Sequence, residues 1–127
     1  MIKWMSQKDI LKAALCSFEC AKKASLLHWE TILKAGPSVY RKAYDADLVG
    51  ADWMWCGLCQ HFSFKYGKKE RCSKCPLYES GFDCCREWVI LIGHVLREAE
   101  QEDSPDTEWS REATYAFEDL ILRIQEC

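Results

Sequence analysis

The sequence CGLC at residues 56–59 is followed, after twelve residues, by CSKC at residues 72–75. Each Cys-x-x-Cys turn presents two sulfurs on the same side of a tight loop. Two such turns together supply the four thiolates that a tetrahedral zinc ion accepts at about 2.3 Å. The spacing therefore predicts a zinc site formed by Cys56, Cys59, Cys72 and Cys75.

Further possible ligands lie close to the two turns. Cys84 and Cys85 fall in the first turn of a predicted helix, where backbone amides favour a thiolate, so either could replace one of the four sulfurs. His61 could complete a site of three cysteines and one histidine. An iron–sulfur cluster also takes four thiolates, so an iron–sulfur or redox protein remains an alternative.

The predicted metal is structural rather than catalytic. A catalytic zinc keeps one position open for water and usually has histidine or carboxylate ligands, whereas four thiolates leave no open position. The Pro-Cys-x-x-Cys element of zinc deaminases is missing, because the proline follows Cys75 and none precedes Cys72. A Ser/His/Asp set and a glycine-rich phosphate loop are missing as well. We therefore expect a protein that is not an enzyme.

Length and composition predict one globular domain over residues 1–127. Apolar residues make up 49% of the chain and charged residues 29%, which is typical of a globular protein with a real core. We see no apolar run long enough for a signal peptide or a membrane span. The expected location is the cytoplasm, so the nine cysteines should not form a disulfide framework.

Apolar residues recur every three or four positions over most of the chain, which indicates amphipathic helices. Ser6, Asp83 and Ser104 are the predicted N-caps, and Gly36 should end the first helix. The helices are predicted over about 6–35, 37–48, 84–102 and 105–126.

The helical period is lost over residues 52–83. Aromatic residues alternate or cluster at 53–55 and 62–66, as they do in short strands, and a turn is predicted between 66 and 69. We therefore predict a zinc-binding insertion over 52–83 that contains a short β-hairpin and has little hydrophobic core of its own. The fold class is mainly α, a bundle of three to four helices with this zinc-knuckle lobe inserted.

Basic and aromatic residues are interleaved in the segment 61–74. Basic groups neutralise phosphates and exposed rings stack on bases, so a nucleic-acid-binding regulator that uses this hairpin is the alternative function. Residues 84–127 carry four basic and eleven acidic residues, which disfavours nucleic-acid binding over a larger surface. The residues of this basic patch are Phe64, Lys65, Tyr66, Lys68, Lys69, Arg71 and Lys74.

The two turns and their neighbours resemble a group of small phage and prophage proteins with no agreed function. Their pattern is Cys-x-Leu-Cys, then Cys-x-x-Cys-Pro-Leu, then Gly-x-x-Cys and an aromatic residue, as at 56–59, 72–77, 81–84 and Trp88. The likeness covers under a third of the chain and implies a virus-encoded zinc-binding accessory protein. We therefore expect a protein that binds a host protein, such as a defence or nucleic-acid enzyme, and inhibits it.

Overall fold

The computed structural model describes residues 2–67, 70, 74, 75, 77 and 85–127. Within these residues the chain is mainly helical and contains no β-strand, so the mainly α prediction is confirmed. None of the described helices is both long enough and apolar enough to span a bilayer. The helices are α1 (Gln7–Cys16), α2 (Phe18–Ala35), α3 (Pro37–Asp45), α4 (Gly57–Tyr66), α5 (Arg86–Val95) and α6 (Arg111–Gln125).

A serine divides the predicted first helix into α1 and α2. Ser17 has extended backbone angles, φ −170° and ψ 171°, and its hydroxyl accepts a hydrogen bond from the Cys20 N–H at 3.1 Å. Serine is among the best N-cap residues, so it ends one helix and starts the next. The prediction of one helix over 6–35 is wrong at this point, because the apolar period continues across the break. The Ser6 cap and the Gly36 stop are confirmed.

Helix α4 stands where the sequence predicted a hairpin. Trp53–Trp55 form a 3₁₀ turn, and 62–66 belong to α4, so both predicted strands are wrong. The alternating pattern is misleading because Leu58 and Phe62, one helical turn apart, are both buried. Packing against α1 and α2 therefore overrides the local strand preference.

Helices α5 and α6 begin later than the sequence predicts. The N-cap position of α5 is Cys85, and the predicted cap Asp83 lies outside the described residues. After Val95 the helix continues as a π-helical turn over Leu96–Glu100. Helix α6 is capped by Ser110 and not by Ser104, so the prediction of a helix from 105 is wrong over its first six residues.

Contacts of two side chains explain why α6 starts at Ser110. The Ser110 hydroxyl accepts from the Ala113 N–H at 3.0 Å and donates to Glu98 Oε2 at 2.7 Å. The Ser110 N–H donates to Glu98 Oε1 at 2.8 Å. The buried Trp109 donates its indole N–H to the Ile32 carbonyl at 3.1 Å, which holds the preceding segment in a non-helical path. The cap therefore depends on contacts with α2 and with the π-helical turn.

Replacing Ser110 with Ala should destabilise the protein by about 0.5–2 kcal/mol, because the α6 cap and a partner of Glu98 are both lost. The matched control is Ser104→Ala, which removes the serine that the sequence favoured; its exposed side chain should contribute less than about 0.5 kcal/mol. Urea unfolding gives both values. Equal losses for the two variants would show that α6 does not depend on Ser110.

One cluster of buried residues connects the helices. Helix α2 is central to it, because it packs against α1, α3, α4 and α6, while α5 packs against α6. The side of α2 that carries the core residue Ala21 also contacts Gly57 in the first Cys-x-x-Cys turn. The hydrophobic core and the candidate site therefore pack against the same side of α2. The largest side chains of this cluster that are fully buried or nearly so are Trp29, Ile32, Tyr40, Leu58, Leu91, Phe117, Leu120 and Ile124.

Candidate metal centre

The first Cys-x-x-Cys turn forms the start of α4. Cys56 is the N-cap residue, with φ −101° and ψ 117°, and Cys59 is the third residue of the helix. The amide N–H groups of a first helical turn have no partners within the helix and point toward its N-terminus, where they favour negative charge. The two sulfurs therefore lie in a place that favours a thiolate. The Cys56 side chain is only 4% exposed.

Gly57 allows this turn to lie directly against α2. A Cβ atom at position 57 would come within 2.6 Å of the Ala21 carbonyl oxygen and 3.3 Å of Ser25 Oγ. Real Cβ atoms do not approach backbone atoms as closely as 2.6 Å, so only glycine fits here without a shift of the backbone. This role of Gly57 was not predicted from the sequence. The only local indication of it is that a glycine stands inside the Cys-x-x-Cys motif.

Ser25 of α2 contacts the same turn. Its side chain is fully buried, and its hydroxyl oxygen accepts the Leu58 N–H at 3.0 Å. The same oxygen lies 3.6 Å from Cys56 Sγ. The sequence offers no local signal for this role of Ser25, because its polar contacts are with residues more than thirty positions away.

The two thiols of the first turn have opposite pKa shifts. The pKa of Cys56 is lowered to about 6, mainly because the Cys59 side chain hydrogen-bonds to its sulfur; burial opposes this, and the Ser25 hydroxyl and nearby amides add to the lowering. The same hydrogen bond raises the pKa of Cys59 well above its usual value, and burial and neighbouring thiols raise it further. The hydrogen bond between the two thiols therefore favours the charged form at Cys56 and the neutral form at Cys59.

Cys75 and Cys85 belong to the same group of thiols. Both act on Cys59 electrostatically, and the pKa of Cys85 is raised first by burial and then by the charges of Cys56 and Cys75, among other groups. Cys59, Cys75 and Cys85 are each partly buried against the hydrophobic core. The chain thus brings cysteines from α4, from residue 75 and from the start of α5 into one neighbourhood. We call Cys56, Cys59, Cys75 and Cys85 the thiol cluster.

The other predicted ligands lie elsewhere or outside the described residues. Cys72 and Cys84 are among the residues that the structure does not describe. His61 donates its Nδ1–H to the Ala14 carbonyl at 2.9 Å, and its ring meets those of Phe18 and Phe62 edge-on. Its ring is therefore engaged with α1 and with aromatic neighbours.

The chemistry of the thiol cluster fits zinc, although its side chains are not arranged as a finished coordination sphere. Within the described ranges, no three Cys, His, Asp or Glu side chains have the arrangement of a complete metal site. The donors are all sulfur, they are shielded by the core, and one is already favoured as a thiolate. Soft and borderline metals such as zinc prefer such sulfur donors.

Two further cysteines are joined to each other. A disulfide connects Cys16 and Cys20 across the junction of α1 and α2, with the Cα atoms 6.0 Å apart. Ser17, which lies between them, has an extended backbone. Because Cys16 and Cys20 are bonded to each other, they are not part of the thiol cluster.

The described part of the basic patch lies at the carboxyl end of α4, not on a hairpin. The side chains of Phe64 and Tyr66 are 52% and 39% exposed. The ammonium groups of Lys65 and Lys74 lie 5.5 Å and 5.8 Å from the centre of the Tyr66 ring. The patch residues at 68, 69 and 71 lie outside the described residues.

Acid should destabilise the protein through His28. Burial lowers the pKa of His28 to about 3, although a hydrogen bond with the Gly50 backbone acts in the opposite direction. In the unfolded chain this pKa is about 6.5, so between these values the unfolded state binds more protons than the folded state. We therefore expect stability to fall as the pH drops below about 6.5, by up to about 1.4 kcal/mol per pH unit, until it levels off near pH 3.

The variant His28→Gln tests this assignment. Urea unfolding at several values between pH 7 and pH 4 should show a smaller loss of stability on acidification in this variant than in the wild type. An unchanged slope in His28→Gln would contradict the assignment.

Comparisons of this chain with protein-family models, with curated proteins and with solved structures found no match.

Proposed function

We propose that this chain is a zinc-stabilised binding protein without enzymatic activity. In this proposal the thiol cluster closes around one zinc ion and ties α4 and α5 to the core. The observation that carries it is the convergence of Cys56, Cys59, Cys75 and Cys85, which are spread over thirty positions yet influence one another at the edge of the core. A tetrahedral ion with four thiolate ligands has no position left for a substrate, which supports a structural role.

The first test is the metal content of the protein. We expect one zinc per chain and no iron when protein purified anaerobically, without added metal, is analysed for its elements. Iron with a matching amount of sulfide would overturn the zinc proposal in favour of the iron–sulfur alternative. Less than one metal per several chains, with no uptake of added zinc, would contradict a metal centre altogether.

The fourth ligand can be identified by substitution. The proposal takes Cys56, Cys59, Cys75 and Cys85 as the four ligands, and Cys72, which the sequence predicts as a ligand, is the alternative to Cys85. We therefore compare zinc affinity in Cys72→Ser and Cys85→Ser by competition with a chromophoric chelator. The variant with the greater loss identifies the ligand, and wild-type affinity in both would contradict the four-thiolate site.

We further propose that the protein is a phage-type accessory protein that binds a host protein in the host cytoplasm and inhibits it. The resemblance of its cysteine pattern to small phage proteins motivates this partner class. Exposed apolar residues support a binding role: Tyr115 and Leu122 lie seven residues apart, on the same side of α6, and are 58% and 54% exposed. Exposed aromatic and aliphatic side chains are common at protein–protein interfaces.

The partner proposal is tested by affinity capture from a lysate of a bacterial host. We expect the wild-type protein to retain a specific host protein, and Tyr115→Ser with Leu122→Ser to retain less of it while the circular dichroism spectrum stays unchanged. An inhibition assay on the purified partner then tests the second half of the proposal. Equal capture by both proteins would exclude this side of α6 as the binding surface.

Nucleic-acid binding through the end of α4 is the second candidate function. Its specific support is the exposed pair of rings, Phe64 and Tyr66, with the ammonium groups of Lys65 and Lys74 beside one of them. If this function holds, single-stranded DNA or RNA should bind in a salt-sensitive manner, and Lys65→Ala with Lys74→Ala should weaken binding at 50 mM salt. No binding by the intact protein would exclude it.

A further inference from the structure

We infer that Ser25 is a positioning residue for the metal centre: its hydroxyl donates a hydrogen bond to the Cys56 sulfur and, by accepting the Leu58 N–H, holds the first turn of α4 in place. This inference rests on the proposed zinc site. It assigns a function to a side chain that lies outside the cysteine motif and belongs to a different helix.

The direction of the hydrogen bonds follows from the chemistry of the groups. A backbone N–H can only donate, so at 3.0 Å from the Leu58 nitrogen the Ser25 oxygen must be the acceptor. A hydroxyl also carries one proton, which remains available for a second bond. Cys56 Sγ lies 3.6 Å from the same oxygen, within the range of a hydrogen bond to sulfur. The Ser25 proton is therefore directed to the sulfur when Cys56 is a thiolate.

Burial makes both bonds important. Ser25 is completely buried and Cys56 nearly so. A buried hydroxyl without partners is costly, and a buried amide without an acceptor costs about 1–3 kcal/mol. Replacement by alanine would remove the acceptor of the Leu58 N–H and the donor to the sulfur together. The Ser25 hydroxyl therefore gives hydrogen-bond partners to both the Leu58 N–H and the Cys56 sulfur.

The contact of Gly57 with α2 fixes the distance between Ser25 and the turn. A side chain at position 57 would collide with the Ala21 carbonyl and crowd the Ser25 hydroxyl. The start of α4 therefore lies closer to α2 than any residue other than glycine would allow. The sulfur of Cys56 is thereby held near the hydroxyl by the backbone as well as by its own side chain. Hydrogen bonds from outside the coordination sphere orient metal ligands, and losing one typically weakens metal binding about 10–100-fold.

The test compares Ser25→Ala with the wild type in two measurements. Competition with a chromophoric chelator should show zinc affinity weakened about 10–100-fold, with one zinc still bound per chain. Cobalt(II) substituted for zinc should show a shifted thiolate-to-metal charge-transfer band. Thr31→Ala is the matched control, because it removes a half-buried hydroxyl of the same helix that donates to the Leu27 carbonyl, and should change neither measurement.

Ser25→Thr is the conservative variant. It keeps a hydroxyl at the same position and should recover most of the affinity and the wild-type cobalt spectrum. Wild-type zinc affinity and an unshifted cobalt band in Ser25→Ala would overturn the inference, even if that variant unfolds more easily, since packing alone would explain the instability. An intact protein that binds neither zinc nor cobalt would contradict the proposed function itself, and the role of Ser25 with it.

Discussion

Replacing Cys56 with serine should abolish tight zinc binding and leave the protein substantially less stable than the wild type. Structural zinc contributes about 10–16 kcal/mol of binding free energy in small zinc domains, and this free energy adds to folding. Serine keeps the size of the side chain but removes a thiolate whose low pKa, about 6, suits it for metal binding. We therefore expect a loss of affinity greater than the roughly 10–100-fold expected when an outer contact is lost.

The matched control for this variant is Cys127→Ser. Cys127 lies at the end of the chain, where its thiol donates to the Arg123 carbonyl at 3.3 Å, and it is not a member of the thiol cluster. Zinc affinity from chelator competition and thermal unfolding with and without zinc should match the wild type in this control. Equal zinc binding by Cys56→Ser and Cys127→Ser would contradict a site at the start of α4.

Replacing Leu58 with alanine should destabilise the protein by about 2–5 kcal/mol, in the range for a large aliphatic side chain removed from a closed core. Leu58 lies between the two cysteines of the first turn, and its side chain is fully buried. The loss should be present even without zinc, because it comes from the contact of α4 with the core. Urea or guanidinium unfolding of metal-free protein measures it.

The control for Leu58 is Leu15→Ala. Leu15 is 68% exposed, so removal of its side chain should change the unfolding free energy by less than about 0.5 kcal/mol. Similar small losses in both variants would show that α4 is not part of the core. That result would favour the separate insertion with little core of its own that the sequence predicts over 52–83.

The helical parts of the fold could be predicted because their signals are local. The three- and four-residue apolar period marks α2, α3, α5 and α6. The caps at Ser6 and Gly36 are predicted by the residue types at those positions. The break at Ser17 and the start at Ser110 were missed for a physical reason. Serine caps a helix only when the backbone around it turns, and at Ser110 the turn is fixed by Glu98 and Trp109 from outside the helix.

The helix at 57–66 could not be predicted from its local sequence pattern. Phe62, Phe64 and Tyr66 alternate as they would in a strand, yet only Phe62 is buried, and it is paired with Leu58 one turn earlier. A short segment with both patterns takes the conformation that buries more apolar surface. That choice depends on the groove between α1 and α2, which no local window contains.

The mainly helical content and the set of sulfurs that could bind a metal can both be predicted from the chain, because periodicity and the order of cysteines are local properties. The prediction of Cys56, Cys59, Cys72 and Cys75 as ligands stays a prediction. The positions of Cys85 beside the first turn and of Gly57 and Ser25 against it appear only in the folded molecule. A close approach and a hydrogen bond between α2 and α4 exist only once both helices are packed.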